Sequence, residues 1–407
     1  MQQHELIPHL FRNEAGKITT VLCRLFGMDQ LELAEDITAD TFLSAMESWP
    51  YKGIPPNPTA WLYTVAKHKA INHFKRKKIF ENKVLKELSQ TANSDGNPDP
   101  DFSRENIADS QLRMLFAVCD PVIPDESQIA LALRILCGFG IEEIANAFLT
   151  GKEVIYKRIF RAKEKLRISN FQTEFPFPGK IESRIDNVLR TLYLVFSEGY
   201  YSETNENILR EDLCFEAMRL VKLLLEYEKT NTPAANALMA LMCFHASRFP
   251  ARRDSQGRMI LYEDQDESKW NKDLIAQGVV FFRLSSQGNA VSKYHLEAGI
   301  AYWHTIRDDT NKKWENILQL YNKLLAMEYS PVAALNRTYA LSKARTADEA
   351  ISAAEKLQLN DNQYYFMLLG VLYKSIDTAK SRGYLNQALE LAKTSVDRDA
   401  IARQLND

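Results

Sequence analysis

Helical periodicity dominates this 407-residue sequence and most constrains its fold. Leu, Ala, Glu and Lys recur at helical intervals, whereas alternating runs of Val, Ile and Thr are rare. The sequence therefore predicts an all-α protein. The length is typical of roughly two to four domains. No run approaches about 18 uninterrupted apolar residues, so we expect no membrane-spanning segment.

The first predicted helices run over residues 4–27 and 31–49, and we expect Pro50 to end the second one. In the second helix, apolar residues including Met46 are expected to face inward and the acids outward. A loop containing four prolines then leads to a third helix over residues 59–78. The outward-facing acids of the second helix are Glu32, Glu35, Asp36 and Asp40.

The third predicted helix has one apolar face, in which we expect Trp61 to be buried, and one basic face. No acid occurs between Thr59 and Phe80. Cations beside aromatic groups suit a nucleic acid, because bases can stack while phosphates are neutralised. The alternative is an ordinary solvated face. The polar residues of this face are Lys67, His68, Lys69, Asn72, Lys75, Arg76, Lys77 and Lys78.

A polar segment over residues 89–104 is rich in acids, Pro and Gly, and it is predicted to be a linker. From Ser89 to Ser110 there are five acids and one arginine. These acids could repel DNA or shield the neighbouring basic helix, or they could simply contribute to solubility.

A second basic region ends a predicted helical module over residues 109–170. Its pattern indicates a helix-turn-helix, with helices over residues 141–148 and 152–166 and Gly151 in the turn. Ile144 and Ala145 are expected to pack against Val154, Ile155 and Ile159. The second helix would reach base edges and phosphates, although a merely basic helical hairpin is the alternative. Its predicted exposed residues are Lys152, Glu153, Tyr156, Lys157, Arg158, Arg161, Lys163 and Lys165.

Residues 175–407 are predicted to form one long helical region. Near its end the sequence repeats with a period of about 34 residues, which is typical of tetratricopeptide hairpins. Such stacks usually present a concave surface to a peptide or protein. The paired positions are Leu335 and Leu369, Asn336 and Gly370, Tyr339 and Tyr373, Ile351 and Leu385, Ala354 and Ala388, and Leu357 and Leu391.

Motifs of nucleotide-binding enzymes, zinc peptidases and serine hydrolases are absent, so no catalytic residue, cofactor or metal is predicted. The acidic run over residues 263–267 lacks the arrangement of a calcium loop. His245 and His304 lie in apolar helical patterns and are expected to be core residues. The five scattered cysteines are expected to be reduced core residues of a cytoplasmic protein.

Six stretches of the sequence together resemble a known family. AEDITADTFLSAMESW followed by PTAWLYTVAKHKAINHFKRKK resembles region 2 of bacterial extracytoplasmic-function (ECF) sigma factors, and EEIANAFLTGKEVIYKRIFRAKEKLR resembles their region 4. LYLVFSEGYYSE, LREDLCFEAMRL and SPVAALNR resemble a subgroup with a C-terminal tetratricopeptide-like extension. The resemblance implies sigma region 2 at residues 1–88, a linker at 89–108, sigma region 4 at 109–172 and the extension at 175–407.

The resemblance also implies partners. Core RNA polymerase would bind through its β′ clamp helices and β flap, and Glu35, Asp36 and Asp40 would dock on the clamp. The melted −10 element would meet Tyr51, Lys52, Lys67, His68, Asn72 and Arg76. The −35 duplex would meet Lys152, Glu153, Tyr156, Lys157, Arg158 and Arg161. Members of the subgroup generally lack a membrane anti-sigma factor, so the extension would regulate through a protein or intramolecular partner.

Of the aromatic groups in the third helix, His68 is the first candidate for touching a base, with His73 and Phe74 as further candidates.

Two rival functions differ in class from a sigma factor. A stand-alone helix-turn-helix regulator with a helical sensor domain would leave the acidic face of the second helix unexplained. An enzyme with a tethered targeting module is disfavoured by the absent motifs.

Overall fold

The computed structural model describes residues 3–85, 99–148, 150–168, 178–201, 211–252, 260, 262–392 and 395–406. These residues form eighteen α-helices and a few short 3-10 turns, and no strand occurs among them, so the predicted all-α class is confirmed. The chain divides into two compact units, Met1–Val195 and Phe196–Asp407, which are described separately.

The first unit begins with three helices: α1 (Gln3–Phe26), α2 (Leu31–Lys52) and α3 (Pro58–Leu85). Ile18 and Leu22 of α1 and Leu62 and Ala66 of α3 are fully buried, as the apolar periodicity predicts. Trp61 is half-buried rather than buried, and its ring meets that of the buried Trp49 edge-on, with centroids 5.4 Å apart.

Helix α2 does not end at Pro50, and the predicted end is wrong. Pro50 lies inside the last turn, and the helix continues to Lys52. A proline inside a helix removes one backbone hydrogen bond and crowds the carbonyl four residues earlier, yet the residues that follow Pro50 keep helical geometry. Gly53 supplies the stop, because its φ of 82° suits glycine and its N–H donates to the Trp49 carbonyl over 3.0 Å.

Five more helices follow: α4 (Arg104–Val118), α5 (Asp125–Ile135), α6 (Ile141–Ala147), α7 (Lys152–Ile168) and α8 (Pro178–Tyr201). Helix α4 starts inside the predicted linker, because the Ser103 hydroxyl caps it by accepting from the Asn106 N–H. Most of the remaining linker, residues 86–98, lies outside the described part of the chain.

Helix α1 packs directly against the end of α5. A Cβ on Gly16 would stand 2.6 Å from the Leu136 carbonyl oxygen and 2.8 Å from that of Ile135, so only glycine fits there. Beside this contact the Arg12 guanidinium lies 3.8 Å from the centroid of the Phe139 ring and forms an ion pair with Glu143. The two predicted DNA-binding modules therefore share one compact unit.

Helix α8 is tied to the same unit by a polar network around the buried Gln128 amide. Asn187 and Thr191 both donate to Gln128 Oε1 over 2.9 Å. Gln128 in turn donates to the carbonyls of Asp120 and Ile123, and Arg184 forms an ion pair with Asp120 at 2.8 Å. The first compact unit consequently extends to Val195, well past the predicted domain start at residue 175.

The second unit contains ten further helices in its described residues. Hairpins α14–α15 and α16–α17 hold the 34-residue pairs at matching places: Leu335 and Leu369 are both buried, as are Ala354 and Ala388. The helices are α9 (Glu211–Leu225), α10 (Pro233–Ala246), α11 (Lys272–Ser285), α12 (Lys293–Trp303), α13 (Asn311–Met327), α14 (Pro331–Ala344), α15 (Ala347–Glu355), α16 (Gln363–Tyr373), α17 (Thr378–Leu391) and α18 (Ser395–Asn406).

All five cysteines are free and buried, which confirms their assignment to the core. Burial raises the pKa of the Cys119 and Cys243 thiols to about 12.

Among the described residues, no helix is both long and apolar enough to cross a membrane. In that same part of the chain, no group of three or more His, Cys, Asp or Glu residues is arranged to hold a metal ion.

Candidate nucleic-acid interface

Helix α3 presents a polar row to solvent. His68, Asn72 and Arg76 are all exposed, and their spacing of four residues places them on one face of the helix. Lys75 lies beside this row and is also exposed. The opposite face is anchored by Leu62, Ala66 and Ala70, which are completely buried. The helix therefore offers a fixed platform with two cationic groups, an amide and an imidazole.

Lys67, also predicted to touch DNA, already has an acidic partner within the chain. Its ammonium group forms an ion pair with Asp99 at 2.7 Å, and the ring of the preceding Tyr63 stacks on Phe102 at 4.8 Å. The described end of the acidic segment therefore lies against α3, as the shielding hypothesis predicts. Burial, followed by the hydrogen bond that the Tyr63 hydroxyl donates to Glu14, raises the pKa of Tyr63.

Only one aromatic group of the predicted base-reading face stands free of the core. His73 and Phe74 are half-buried, and their rings lie 6.0 Å and 4.9 Å from that of Phe26. His68 remains exposed. Tyr51 adds a second exposed ring, at 90% exposure, in the last turn of α2 beside the exposed Lys52.

Helix α7 separates into a buried stripe and an exposed face. Ile155, Ile159, Ala162 and Leu166 are buried at helical spacing, and Ile144 and Ala145 of α6 are buried as well. Val154 was predicted to join this contact, but it is 41% exposed. Its position one residue before Ile155 turns it away from α6, since successive helical residues point about 100° apart.

The exposed face of α7 carries Lys152, Glu153, Tyr156, Lys157 and Arg161. Phe160, which the sequence prediction missed, is also 49% exposed and stacks on Tyr156 with ring centroids 6.4 Å apart. Its position four residues after Tyr156 is the signal that could have placed it on this face.

Some cations of α7 already have acidic partners within the first unit. Lys152 pairs with Glu142 at 2.7 Å, and Arg158 pairs with Glu126 of α5. Lys157 and Arg161 are exposed and form no ion pair with any described residue. These two side chains are therefore the most accessible cations of the helix for a phosphate.

The acidic face of α2 differs from its prediction at one residue. Asp36 and Asp40 are exposed, but the Glu35 side chain is only 20% exposed and pairs with Lys163 of α7 and, at 3.7 Å, with Arg134 of α5. Met46, predicted to be buried, is 57% exposed, and Leu43 is 51% exposed. The outer row therefore combines Glu32, Asp36 and Asp40 with two apolar side chains.

Two protein families match parts of the chain. Sigma-70 region 2 matches residues 10–79, a range that covers most of α1, α2 and α3. A family of unknown function, DUF6596, matches residues 184–286. The RNA polymerase sigma factor YlaC of Bacillus subtilis (strain 168) is 25% identical over 168 residues, or 41% of this chain and 93% of that protein. The matches to sigma-70 region 2 and to YlaC support a role as an RNA polymerase sigma factor.

A longer match covers nearly the whole chain. The uncharacterized protein R00370 of Rhizobium meliloti (strain 1021) is 32% identical over 381 residues, which is 92% of this chain and 90% of that protein. The chain belongs to the same family as this Rhizobium protein. No solved structure matches it.

Proposed function

We propose that the chain is an ECF-type sigma factor whose first unit binds core RNA polymerase and promoter DNA. The observation that carries this proposal is the sigma-70 region 2 match on α1, α2 and α3. Those same helices present an exposed acidic row and an exposed basic platform. In this proposal the protein has no catalytic residue or cofactor, and binding energy drives strand opening.

The exposed row of α2 supports polymerase docking. Asp36 and Asp40 would attract a basic partner, and Leu43 and Met46 offer apolar area that a protein surface can cover. The family resemblance makes the β′ clamp helices the proposed partner. Glu35 is left out of this surface because it is half-buried between Lys163 and Arg134.

The α3 platform supports recognition of single-stranded DNA. His68, Asn72 and Arg76 can meet bases and phosphates along one face, with Tyr51 and Lys52 beside the connecting loop. Stacking on an aromatic side chain contributes about 1–3 kcal/mol per base. Extruding a base costs about a few kcal/mol. A few such contacts therefore suffice to hold a melted −10 element.

Helix α7 supports duplex recognition at the −35 element. Lys157 and Arg161 would contact phosphates, while Lys152, Glu153 and Tyr156 near the start of the helix would approach base edges. Arg158 would have to exchange Glu126 for a phosphate. By resemblance, this region would also contact the β flap of the polymerase.

We assign the second unit a regulatory role through tetratricopeptide-like hairpins. The support is the shared burial of several of the 34-residue pairs, including Leu335 with Leu369 and Ala354 with Ala388. Its partner would be a regulatory protein or another part of this chain. A stand-alone DNA-binding regulator would not require a sigma-70 region 2, so we do not favour it.

Transcription with purified core RNA polymerase on a promoter library tests the proposal. Lys157→Glu combined with Arg161→Glu should abolish −35-dependent initiation, because phosphate contacts become repulsive. Co-elution with core polymerase should be unchanged.

The matched control is Lys229→Glu with Lys323→Glu, an equal charge change at two exposed lysines of the second unit, which should initiate normally. No initiation by the unmodified protein, or equal initiation by both double variants, would contradict the proposal.

A further inference from the structure

The second unit contains a cluster of cations that neither the sigma factor role nor the helical repeats require. Its centre is the half-buried ring of Tyr262. Arg248, Arg307 and Lys313 place their charged groups 5.3, 5.6 and 5.6 Å from the centroid of this ring. The His304 ring lies 5.1 Å away, and the Trp270 ring stacks at 6.3 Å.

Two of these cations are buried and form no salt bridge within the described residues. Arg248 is 8% exposed and Lys313 is 1% exposed, and neither forms an ion pair with a carboxylate in the described residues. Lys313 donates to the Ile306 carbonyl over 2.6 Å and to the Tyr262 hydroxyl over 3.3 Å. Neutral acceptors and aromatic rings compensate a buried charge only in part, so a buried cation usually has an anionic partner.

Several buried polar atoms in the cluster have no hydrogen-bond partner within the part of the chain that the structure describes. The Arg248 Nε and the Trp270 Nε1 are N–H donors without an acceptor, and Trp270 is 2% exposed. The His304 Nδ1 is also without a partner. Buried donors are normally satisfied in folded proteins. Unsatisfied donors beside two buried cations that form no salt bridge in the described residues point to a negatively charged acceptor as the fitting partner.

Burial and the surrounding charges shift the pKa values of two groups in the cluster. Burial and the nearby Arg248 and Lys313 lower the pKa of His304 to about 3, so its imidazole is neutral at pH 7. Burial also lowers the pKa of Lys313, although Asp309 and Asp308 act in the opposite direction. Both aspartates are exposed, and Asp309 accepts a hydrogen bond from the Trp314 indole.

We propose that this cluster binds a small oxyanion, such as phosphate, sulfate or a carboxylate, through Arg248, Lys313 and the indole N–H of Trp270. An oxyanion supplies both the missing charge and the missing acceptors. Charge-assisted hydrogen bonds from guanidinium and ammonium groups are the strong contacts for such a ligand. The exposed Arg307 lies on the solvent side of the cluster.

Differential scanning calorimetry of the full chain tests this site. Phosphate, sulfate and acetate are each titrated against chloride at matched ionic strength. At least one of the three should raise the Tm of the second unit above its value in chloride, with saturation, because a ligand that binds only the folded state stabilises it.

Lys313→Met should abolish that Tm shift. Lys323→Met, at an exposed position of the same helix α13, should retain it. This comparison separates the cluster from any anion bound elsewhere on the chain. If Lys313→Met does not fold, Arg248→Gln replaces it under the same criterion. The proposal is overturned if none of the three anions raises the Tm beyond chloride, or if the shift persists in the folded variant.

Discussion

At the scale of single residues, the ion pairs around Glu35 decide what α2 can offer to a partner. Its carboxylate is 20% exposed and lies between Lys163, 19% exposed, and Arg134. Asp36, the next residue, is exposed and has no ion pair in the described residues. Two neighbouring acids therefore differ: Glu35 is held in ion pairs within the first unit, whereas Asp36 faces solvent.

Glu35→Gln should destabilise the first unit, because Lys163 loses its carboxylate partner in a half-buried place. The expected decrease in the free energy of unfolding is about 1–2 kcal/mol. Asp36→Asn should change it by less than about 0.5 kcal/mol, as is usual for an exposed substitution. Urea denaturation followed by circular dichroism measures both. Equal effects of the two substitutions would show that the Glu35 ion pairs do not stabilise the unit.

At the scale of helices, local patterns predicted most of what the structure contains. The apolar spacing of α1, α3 and α7 predicted both the helices and their buried faces, because helical periodicity is a local property. The end of α2 was missed because a proline inside a helix does not always end it, and Gly53 provides the actual stop. Contacts such as α1 against α5 at Gly16 join residues distant in sequence, and no local pattern encodes them.

Two glycine substitutions test this packing. Gly16→Ala should destabilise the first unit by about 1–3 kcal/mol, because the new Cβ meets rigid backbone carbonyls of Ile135 and Leu136. Gly383→Ala is the matched control in α17, where a Cβ meets nothing within 4 Å. It should stabilise its helix by about 0.5–1 kcal/mol. Thermal unfolding measures both, and a neutral Gly16→Ala would contradict the close approach of α1 to α5.

At the scale of the whole molecule, a formal net charge of −2 conceals the basic faces of α3 and α7. The candidate site could be predicted from sequence where exposure follows helical spacing, as at His68, Asn72, Arg76, Lys157 and Arg161. The site could not be predicted where a cationic side chain forms an ion pair with an acid that is distant in sequence. Examples among the described residues are Lys67 with Asp99, Arg158 with Glu126 and Lys163 with Glu35.

Docking of core polymerase on the exposed acidic row of α2 is the proposal that separates a sigma factor from other DNA-binding proteins. Asp36→Lys combined with Asp40→Lys reverses two exposed charges on that row. Glu226→Lys with Glu390→Lys makes the same charge change at exposed positions of the second unit and serves as the control.

The most direct measurement is the affinity of the purified full-length chain for core RNA polymerase, by co-elution and fluorescence anisotropy. The account predicts that the unmodified protein and the control variant bind, and that the Asp36→Lys, Asp40→Lys variant binds at least about tenfold more weakly, a loss of about 1.4 kcal/mol. No binding by the unmodified protein, or equal binding by both variants, would contradict it.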